Sequence, residues 1–273
     1  MTTTAIEVRG VSVHYGSVRA LDDVDFALPA GELCGLIGVN GSGKSTLFKA
    51  LMGLVSPTAG AVSLFGRGPT SARKSGLITY VPQAEDVDWT FPVSVHDVVM
   101  MGRYGRMGRS RRPRPGDRDA VADALARVDL AGLADRQIGQ LSGGQRKRAF
   151  VARGIAQGAE LLLLDEPFAG VDTASERLIM GELRRLTDEG RTILMSTHDL
   201  AGVPEYCSRA LLLQQRVVAS GTPAEVLTEA NLAQAFSGPG RAERPAPGSD
   251  RTRAPGPGGA PDPNTPRTTE DTP

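Results

Sequence analysis

The chain has 273 residues, of which 40% are apolar, and a formal net charge of zero at pH 7. The apolar fraction is sufficient for a packed core, and the balanced charge gives no indication of a nucleic acid partner. The two cysteines, Cys34 and Cys207, are far apart and lack metal-ligand spacing. Such isolated thiols are typical of a protein in a reducing cytosol.

The apolar run Leu161–Leu164 is far shorter than the roughly 20 residues that a helix needs to span a bilayer. The first ten residues also lack the charged and then apolar pattern of a secretory signal peptide. We therefore expect a chain that is soluble by itself and stays on the side of the membrane where it is made.

Short β-rich runs alternate with helical patterns along most of the chain. Periodicity and turn residues predict strands at residues 6–15, 24–28, 32–38, 61–65, 77–82, Leu161–Leu164 and Thr192–Thr197. They predict helices at residues 44–54, 119–128, 146–157 and 176–189. This alternation implies an α/β fold with a mainly parallel sheet and an antiparallel β region at the N-terminus.

The domain organisation follows from two changes along the sequence. Residues 86–157 show helical patterns and no convincing strand, so we expect a helical subdomain inserted into the core. Within it, residues 103–118 are rich in arginine, which favours a solvated loop, with a membrane or partner contact as the alternative. From residue 237 to 273 there is no Leu, Ile, Val, Phe or Met, which predicts a disordered tail after a folded domain of residues 5–236.

A glycine-rich stretch at residues 38–45 fits the pattern G-x-x-x-x-G-K-[ST] between a predicted strand and a predicted helix. Its backbone N–H groups and the N-terminus of the helix are suited to bind phosphate oxygens. We expect Lys44 to reach the β- and γ-phosphates of ATP and Ser45 to bind Mg²⁺. The predicted nucleotide-binding residues here are Gly38, Val39, Asn40, Gly41, Ser42, Gly43, Lys44, Ser45 and Thr46. This phosphate loop predicts a P-loop NTPase core.

Two acids, Asp165 and Glu166, follow the leucine run directly. We expect Asp165 to hold the Mg²⁺ shell and Glu166 to take a proton from the attacking water. An acid pair at the end of a strand is common and by itself indicates a helix cap. In a chain with a phosphate loop, the pair indicates nucleotide hydrolysis.

A second glycine motif, Leu-Ser-Gly-Gly-Gln at residues 141–145, precedes a long helical pattern. Ser142 can cap that helix, and the N–H groups of Gly143, Gly144 and Gln145 can receive a negative group. A plain helix cap is the alternative. Because the chain already has a phosphate loop about a hundred residues earlier, we favour a second phosphate-binding site here over a plain cap.

Together the two motifs resemble the ATPase subunits of ABC transporters, over about residues 5–230. In that family each nucleotide lies between the phosphate loop of one ATPase domain and the LSGGQ motif of another. The resemblance implies a dimer of this chain and contact with integral-membrane permease subunits. It also implies an indirect link to an extracytoplasmic binding protein and a peripheral position on the cytoplasmic face of the membrane.

The resemblance also assigns roles to single residues. Tyr15 matches the aromatic residue that stacks on adenine, and Gln83 matches the glutamine that reaches the metal and the attacking water. His198 matches the histidine that contacts the γ-phosphate, and Asp172 matches an aspartate that crosses the dimer interface. From the residues alone, Tyr15 could instead make ordinary packing contacts, and His198 could be a surface or capping residue. The loop before Asp172 departs from the common Ser-Ala-Leu-Asp pattern, and we expect its function to survive.

The cargo is indicated by residues 88–103, which resemble the corresponding segment of manganese, zinc and iron uptake ATPases. His96 lies in this segment, but a chain with three histidines and no paired cysteines shows no transition-metal site of its own. The alternatives are an importer of the siderophore or cobalamin type, an efflux system, a non-transport ABC ATPase and a P-loop kinase or GTPase. The absence of long heptad repeats and of a second ATPase unit disfavours the non-transport ATPases.

Overall fold

The computed structural model describes residues 3–83, 91–108 and 111–236. The strands are β1 Thr4–Tyr15, β2 Val18–Pro29, β3 Leu33–Ile37, β4 Ala59–Leu64, β5 Ile78–Val81, β6 Leu161–Leu164, β7 Thr192–Thr197, β8 Arg209–Gln214 and β9 Arg216–Gly221. The helices are α1 Lys44–Leu51, α2 Pro69–Lys74, α3 Val95–Met100, α4 Pro115–Arg127, α5 Gly143–Gln157, α6 Thr173–Asp188, α7 Val203–Tyr206, α8 Pro223–Val226 and α9 Glu229–Phe236. The predicted tail (residues 237–273) and residues 88–90 of the cargo segment lie outside the described residues.

Two sheets are formed by these strands. A three-stranded sheet has the order β2-β1-β4 and is antiparallel, and a six-stranded sheet has the order β5-β6-β7-β3-β8-β9. In the larger sheet only the β8–β9 pair is antiparallel. The predicted fold class, a mainly parallel sheet with an antiparallel N-terminal region, is therefore confirmed.

The central strands are buried on both faces. All four leucines of β6 are at most 2% exposed, and they alternate between two cores. Leu162 and Leu164 pack in the core that contains residues of α4, α5 and α6, whereas Leu161 and Leu163 pack in the core of β1, β2 and α1. Because β3, β6 and β7 are parallel neighbours, the segments that follow them emerge at one edge of the sheet. That edge is where the phosphate loop and the two acids lie.

Helices predominate between residues 91 and 157. In the described part of this region we find α3, α4 and α5, and the only β pairing is an isolated bridge between Ser94 and Gln137. Helix α3 is fixed by a capping box in which the Asp97 N–H donates to Ser94 Oγ over 3.0 Å. The observed helices agree with the expectation of a helical region, and the limits of the subdomain remain a prediction.

Four predicted helix boundaries were wrong by three residues or more. Helix α4 begins at Pro115 and not at residue 119, and α6 begins at Thr173 and not at residue 176. Helix α1 ends at Leu51 and not at residue 54, because Gly53 adopts a positive φ of 64° and Leu54 is 56% exposed. Helix α5 begins at Gly143 and not at residue 146. Glycines are poor in a helix interior, but in the first turn a capping box compensates for them.

Candidate nucleotide-binding site

The phosphate loop connects β3 to α1 and depends on glycine at two close approaches. A Cβ on Gly38 would lie 2.4 Å from the Leu213 carbonyl oxygen, and one on Gly43 would lie 2.6 Å from that of Ala20. Gly43 also has φ of +100°, a conformation that side chains with a Cβ rarely adopt. The loop is therefore held between strand β8 and strand β2, with its N–H groups at the N-terminus of α1.

Lys44 lies over this loop. Its Nζ donates to the carbonyl oxygens of Gly38 at 2.7 Å and Val39 at 3.3 Å, and the residue is only 8% exposed. Burial lowers the pKa of Lys44, and the nearby carboxylates of Glu166 and Asp165 oppose that shift. The ammonium group is thus held close to the predicted position of the phosphates.

Ser45 and Asp165 meet across the site. Ser45 Oγ donates to Asp165 Oδ2 at 3.3 Å, and the Tyr80 hydroxyl donates to the same oxygen at 3.2 Å. The other oxygen, Oδ1, accepts a hydrogen bond of 2.7 Å from Ser196 on β7. A hydroxyl and a carboxylate side by side are the hard oxygen ligands that Mg²⁺ prefers, so these residues fit the predicted ion.

Glu166 is positioned by Gln83, which follows β5, and by Ser196 on β7. The Gln83 amide Nε2 donates to Glu166 Oε2 at 2.9 Å, and the Glu166 N–H donates to Ser196 Oγ at 2.8 Å. Glu166 has φ of +46°, which is unusual for a residue other than glycine. The pairing of Gln83 with Glu166 joins two residues that are far apart in sequence and that had been predicted to act on the same water.

A cleft of about 630 Å³ contains these groups. The residues predicted from the sequence to form the site and found to line this cleft are Tyr15, residues 40–46, Gln83, Asp165 and Glu166. Tyr15 is 46% exposed at the end of β1, so its ring is free to stack on a base. Gly38 and Val39 do not line the cleft, but their carbonyls hold the Lys44 ammonium.

Four further residues line the cleft and were not predicted: Val18, Arg19, Ala20 and Gln215. Gln215 lies in the turn between β8 and β9, and its N–H donates to the Ser42 carbonyl at 2.7 Å. No local pattern in the sequence indicates this contact, because it depends on the pairing of β8 with β3.

The LSGGQ motif is not part of this cleft. Ser142 Oγ accepts a hydrogen bond of 3.2 Å from the Gln145 N–H, and Gln145 Oε1 accepts one of 2.9 Å from the Ser142 N–H. This capping box occupies the Gln145 N–H, so Gly143 and Gly144 present the remaining N–H groups of the motif. Gly144 is buried, which corrects the expectation that both glycines would be exposed.

Asp172 and His198 also lie outside the cleft lining. Asp172 caps α6, where its Oδ1 accepts the Ser175 N–H at 2.9 Å, and this N–H lowers the pKa of the carboxyl. A Cβ on Gly144 would lie 2.5 Å from Asp172 Oδ2, so the LSGGQ motif packs closely on this cap. His198 is exposed directly after β7.

The described residues contain no cluster of three or more His, Cys, Asp or Glu side chains that could hold a metal ion. Within the same residues, no helix is long and apolar enough to cross a membrane.

Comparisons with known proteins agree with this site. Residues 21–169 match the family model described as ABC transporter. The chain is 51% identical over 232 residues to the chelated iron transport system membrane protein YfeB of Yersinia pestis, covering 85% of this chain and 78% of that protein. It is 50% identical to the manganese transport system ATP-binding protein MntA of Synechocystis, covering 85% of this chain and 90% of the relative.

A solved structure shows the same fold. CbiO1 from Clostridium perfringens, part of the ABC transporter complex cbiONQ, superposes with a TM-score of 0.71 at 30% identity, covering 85% of this chain and 94% of that one. The phosphate loop, the acids at the end of β6 and these matches lead to one conclusion: the chain belongs to the ABC transporter family, as an ATP-hydrolysing, ATP-binding subunit.

Proposed function

We propose that this chain hydrolyses ATP to power a membrane importer of manganese, iron or zinc. The cleft in which Lys44, Asp165, Glu166 and Gln83 converge carries the ATPase part of the proposal. The cargo assignment is supported by two relatives that are about 50% identical to this chain, one named for chelated iron transport and the other for manganese transport. Zinc belongs to the same group through the resemblance of residues 88–103.

The proposed reaction is transfer of the γ-phosphoryl group of ATP to water. Lys44 binds the β- and γ-phosphates, while Ser45, Asp165 and Gln83 would hold Mg²⁺, which supplies neutralisation of phosphate charge when bound. Glu166 accepts the proton of the attacking water at its carboxylate, and Gln83 orients that carboxylate through the 2.9 Å hydrogen bond. His198, which is exposed directly after β7 and outside the cleft lining, would contact the γ-phosphate once ATP is bound.

We further propose that two copies of this chain form a head-to-tail dimer. The exposed Gly143 of the LSGGQ motif presents its N–H group outside the nucleotide cleft of its own chain, which supports binding of a nucleotide held by a second copy. Stacking of Tyr15 on adenine and passage of Asp172 across the interface belong to the same proposal. The chain would then lie on the cytoplasmic face of the membrane, where the permease links it indirectly to a binding protein outside.

A second cleft, of about 470 Å³, suits the membrane subunit. Its lining includes Arg73, Lys74, Arg106 and Arg153. No acidic residue is among the described residues that line it, and none of these four cations forms an ion pair with another described residue. Arg153 is partly buried, and burial lowers the pKa of its guanidinium. It donates to the Tyr80 carbonyl at 3.3 Å, whereas Arg73, Lys74 and Arg106 are exposed. A basic cleft with exposed cations is complementary in charge to an acidic segment, which supports docking of such a segment of the permease.

Reversal of one charge in the basic cleft tests this docking. We expect Lys74→Glu to lower the amount of ATPase that co-purifies with the permease by about tenfold, because like charges then face each other. ATP affinity should stay within about twofold, since the two clefts share no lining residue. Arg177→Glu on the exposed face of α6 is the matched control. Equal retention of both variants would contradict the docking proposal.

The cargo is tested in cells by deleting the gene and measuring accumulated manganese, iron and zinc. We expect uptake of at least one of these ions to fall and to be restored by the wild-type gene but not by Glu166→Gln. Unchanged uptake of all three ions would overturn the cargo and leave the ATPase intact. Loss of siderophore or cobalamin uptake instead would assign the subunit to the alternative importer class.

A further inference from the structure

The backbone of Glu166 is tethered at both ends. Its N–H donates to Ser196 Oγ at 2.8 Å, and its carbonyl oxygen accepts hydrogen bonds from the Ala169 N–H at 3.2 Å and from Lys147 Nζ at 3.3 Å. The positive φ of +46° is a conformation that persists only where the surroundings hold it. These hydrogen bonds hold the backbone of Glu166, while the 2.9 Å hydrogen bond from Gln83 holds its carboxylate.

Lys147 is an unusual group for this task. It lies on α5 and is only 7% exposed, although lysine is rarely buried without a partner. Its ammonium is directed at a backbone carbonyl next to the nucleotide cleft, outside the lining of that cleft. The hydrogen bond to the Glu166 carbonyl connects α5 to the segment that follows β6.

The same helix carries the LSGGQ motif. Lys147 follows Gly144 by three residues, which places both on one face of α5. That face contacts the cap of α6 through Gly144 and the backbone of Glu166 through Lys147. The first turn of α5 is therefore joined to the Glu166 carbonyl by a side chain that lies less than one helical turn beyond Gly144.

We propose that Lys147 is a positioning residue that couples the LSGGQ motif to Glu166 of the same chain. The inference rests on the proposed function, in which Glu166 is the base for the nucleotide of its own cleft and the LSGGQ motif receives the nucleotide of a second copy. Through Lys147, occupation of one site of the dimer sets the position of the base in the other.

The test uses the purified full-length chain and three substitutions. Lys147→Met keeps the length of the side chain and removes the donor, and Lys147→Arg keeps a cationic donor. Arg191→Met is the matched control, because Arg191 Nη1 donates to the Ala159 carbonyl over the same 3.3 Å at the other end of β6. We expect Lys147→Met to lower kcat at least tenfold with KM for ATP within twofold, since small displacements of a catalytic group have large effects on rate.

Lys147→Arg should restore kcat to within about threefold of the wild type, and Arg191→Met should change the melting temperature more than kcat. Similar kcat values for Lys147→Met and Arg191→Met would overturn the proposal. If Lys147→Met does not fold, we compare Lys147→Gln, which retains an amide donor, with Lys147→Arg. A larger loss of kcat in Lys147→Gln than in Lys147→Arg supports the positioning role, and equal kcat values contradict it.

A double-mutant cycle with Glu166→Gln separates this inference from the proposed function. If Lys147 acts through Glu166, then Lys147→Met causes no further loss of kcat in the Glu166→Gln background. A full additional tenfold loss would show an independent role and overturn the coupling. Wild-type turnover by Glu166→Gln alone would instead contradict the role of Glu166 as base.

Discussion

The Glu166→Gln variant is expected to bind ATP normally and to hydrolyse it about 10² to 10⁴ times more slowly than the wild type. The amide preserves the shape of the side chain and can still bond with Gln83, which lies 2.9 Å away. It cannot accept the proton of the attacking water, so the chemical step fails after binding. Phosphate release and nucleotide affinity, measured separately, distinguish the two effects.

The same variant should accumulate as a dimer in the presence of ATP. When hydrolysis is blocked, the nucleotide held between the phosphate loop of one copy and the LSGGQ motif of the other remains in place. Gel filtration with and without ATP measures this shift. Glu160→Gln, an exposed position at the other end of β6, is the matched control and should turn over ATP normally. A monomeric, fully active Glu166→Gln would remove Glu166 from the proposed reaction.

Lys44→Ala is expected to raise the Kd for ATP about 100-fold, which corresponds to roughly 2.7 kcal/mol. The substitution removes the ammonium that lies over the phosphate loop, 2.7 Å from the Gly38 carbonyl. Burial lowers the pKa of Lys44, so the cost of burying the ammonium offsets part of what its hydrogen bonds contribute to the fold. We therefore expect the variant to fold with a melting temperature close to that of the wild type.

Calorimetric titration with ATP measures this loss of affinity, and thermal denaturation checks the fold. Lys49→Ala is the matched control, because Lys49 lies on the same helix but is exposed. Its affinity for ATP should be unchanged. Tight binding by Lys44→Ala would show that the loop N–H groups suffice without the lysine.

The parts of the site that could be predicted are those with a local cause. The spacing of Gly38, Gly43, Lys44 and Ser45 sets a turn between a strand and a helix, and all of it lies within eight residues. The same holds for the leucine run before Asp165 and Glu166, whose burial on both faces follows from its composition. Such patterns carry their geometry with them, so the fold class was correctly predicted, and the predicted residues 40–46, Asp165 and Glu166 lie in one cleft.

Other contacts have no local cause. Gln215 lines the cleft because β8 pairs with β3, and Lys147 bonds with the Glu166 carbonyl because α5 packs beside β6. Lys147 and Glu166 are about twenty residues apart in the sequence, and Gln215 and Ser42 are more than 170 apart. No periodicity in these segments indicates which residue will be the partner.

The residues alone were thus enough to identify an ATP-binding α/β domain and to predict its reacting groups, since a phosphate loop and a strand-end acid pair are built from neighbours in sequence. The packing of the chain decided how the groups are held: which carbonyl receives Lys147, which glycine of the LSGGQ motif is buried against Asp172, and that this motif lies apart from the cleft. These features depend on the order of strands in the sheet and on the placement of α5, which are set by the free energy of the whole core.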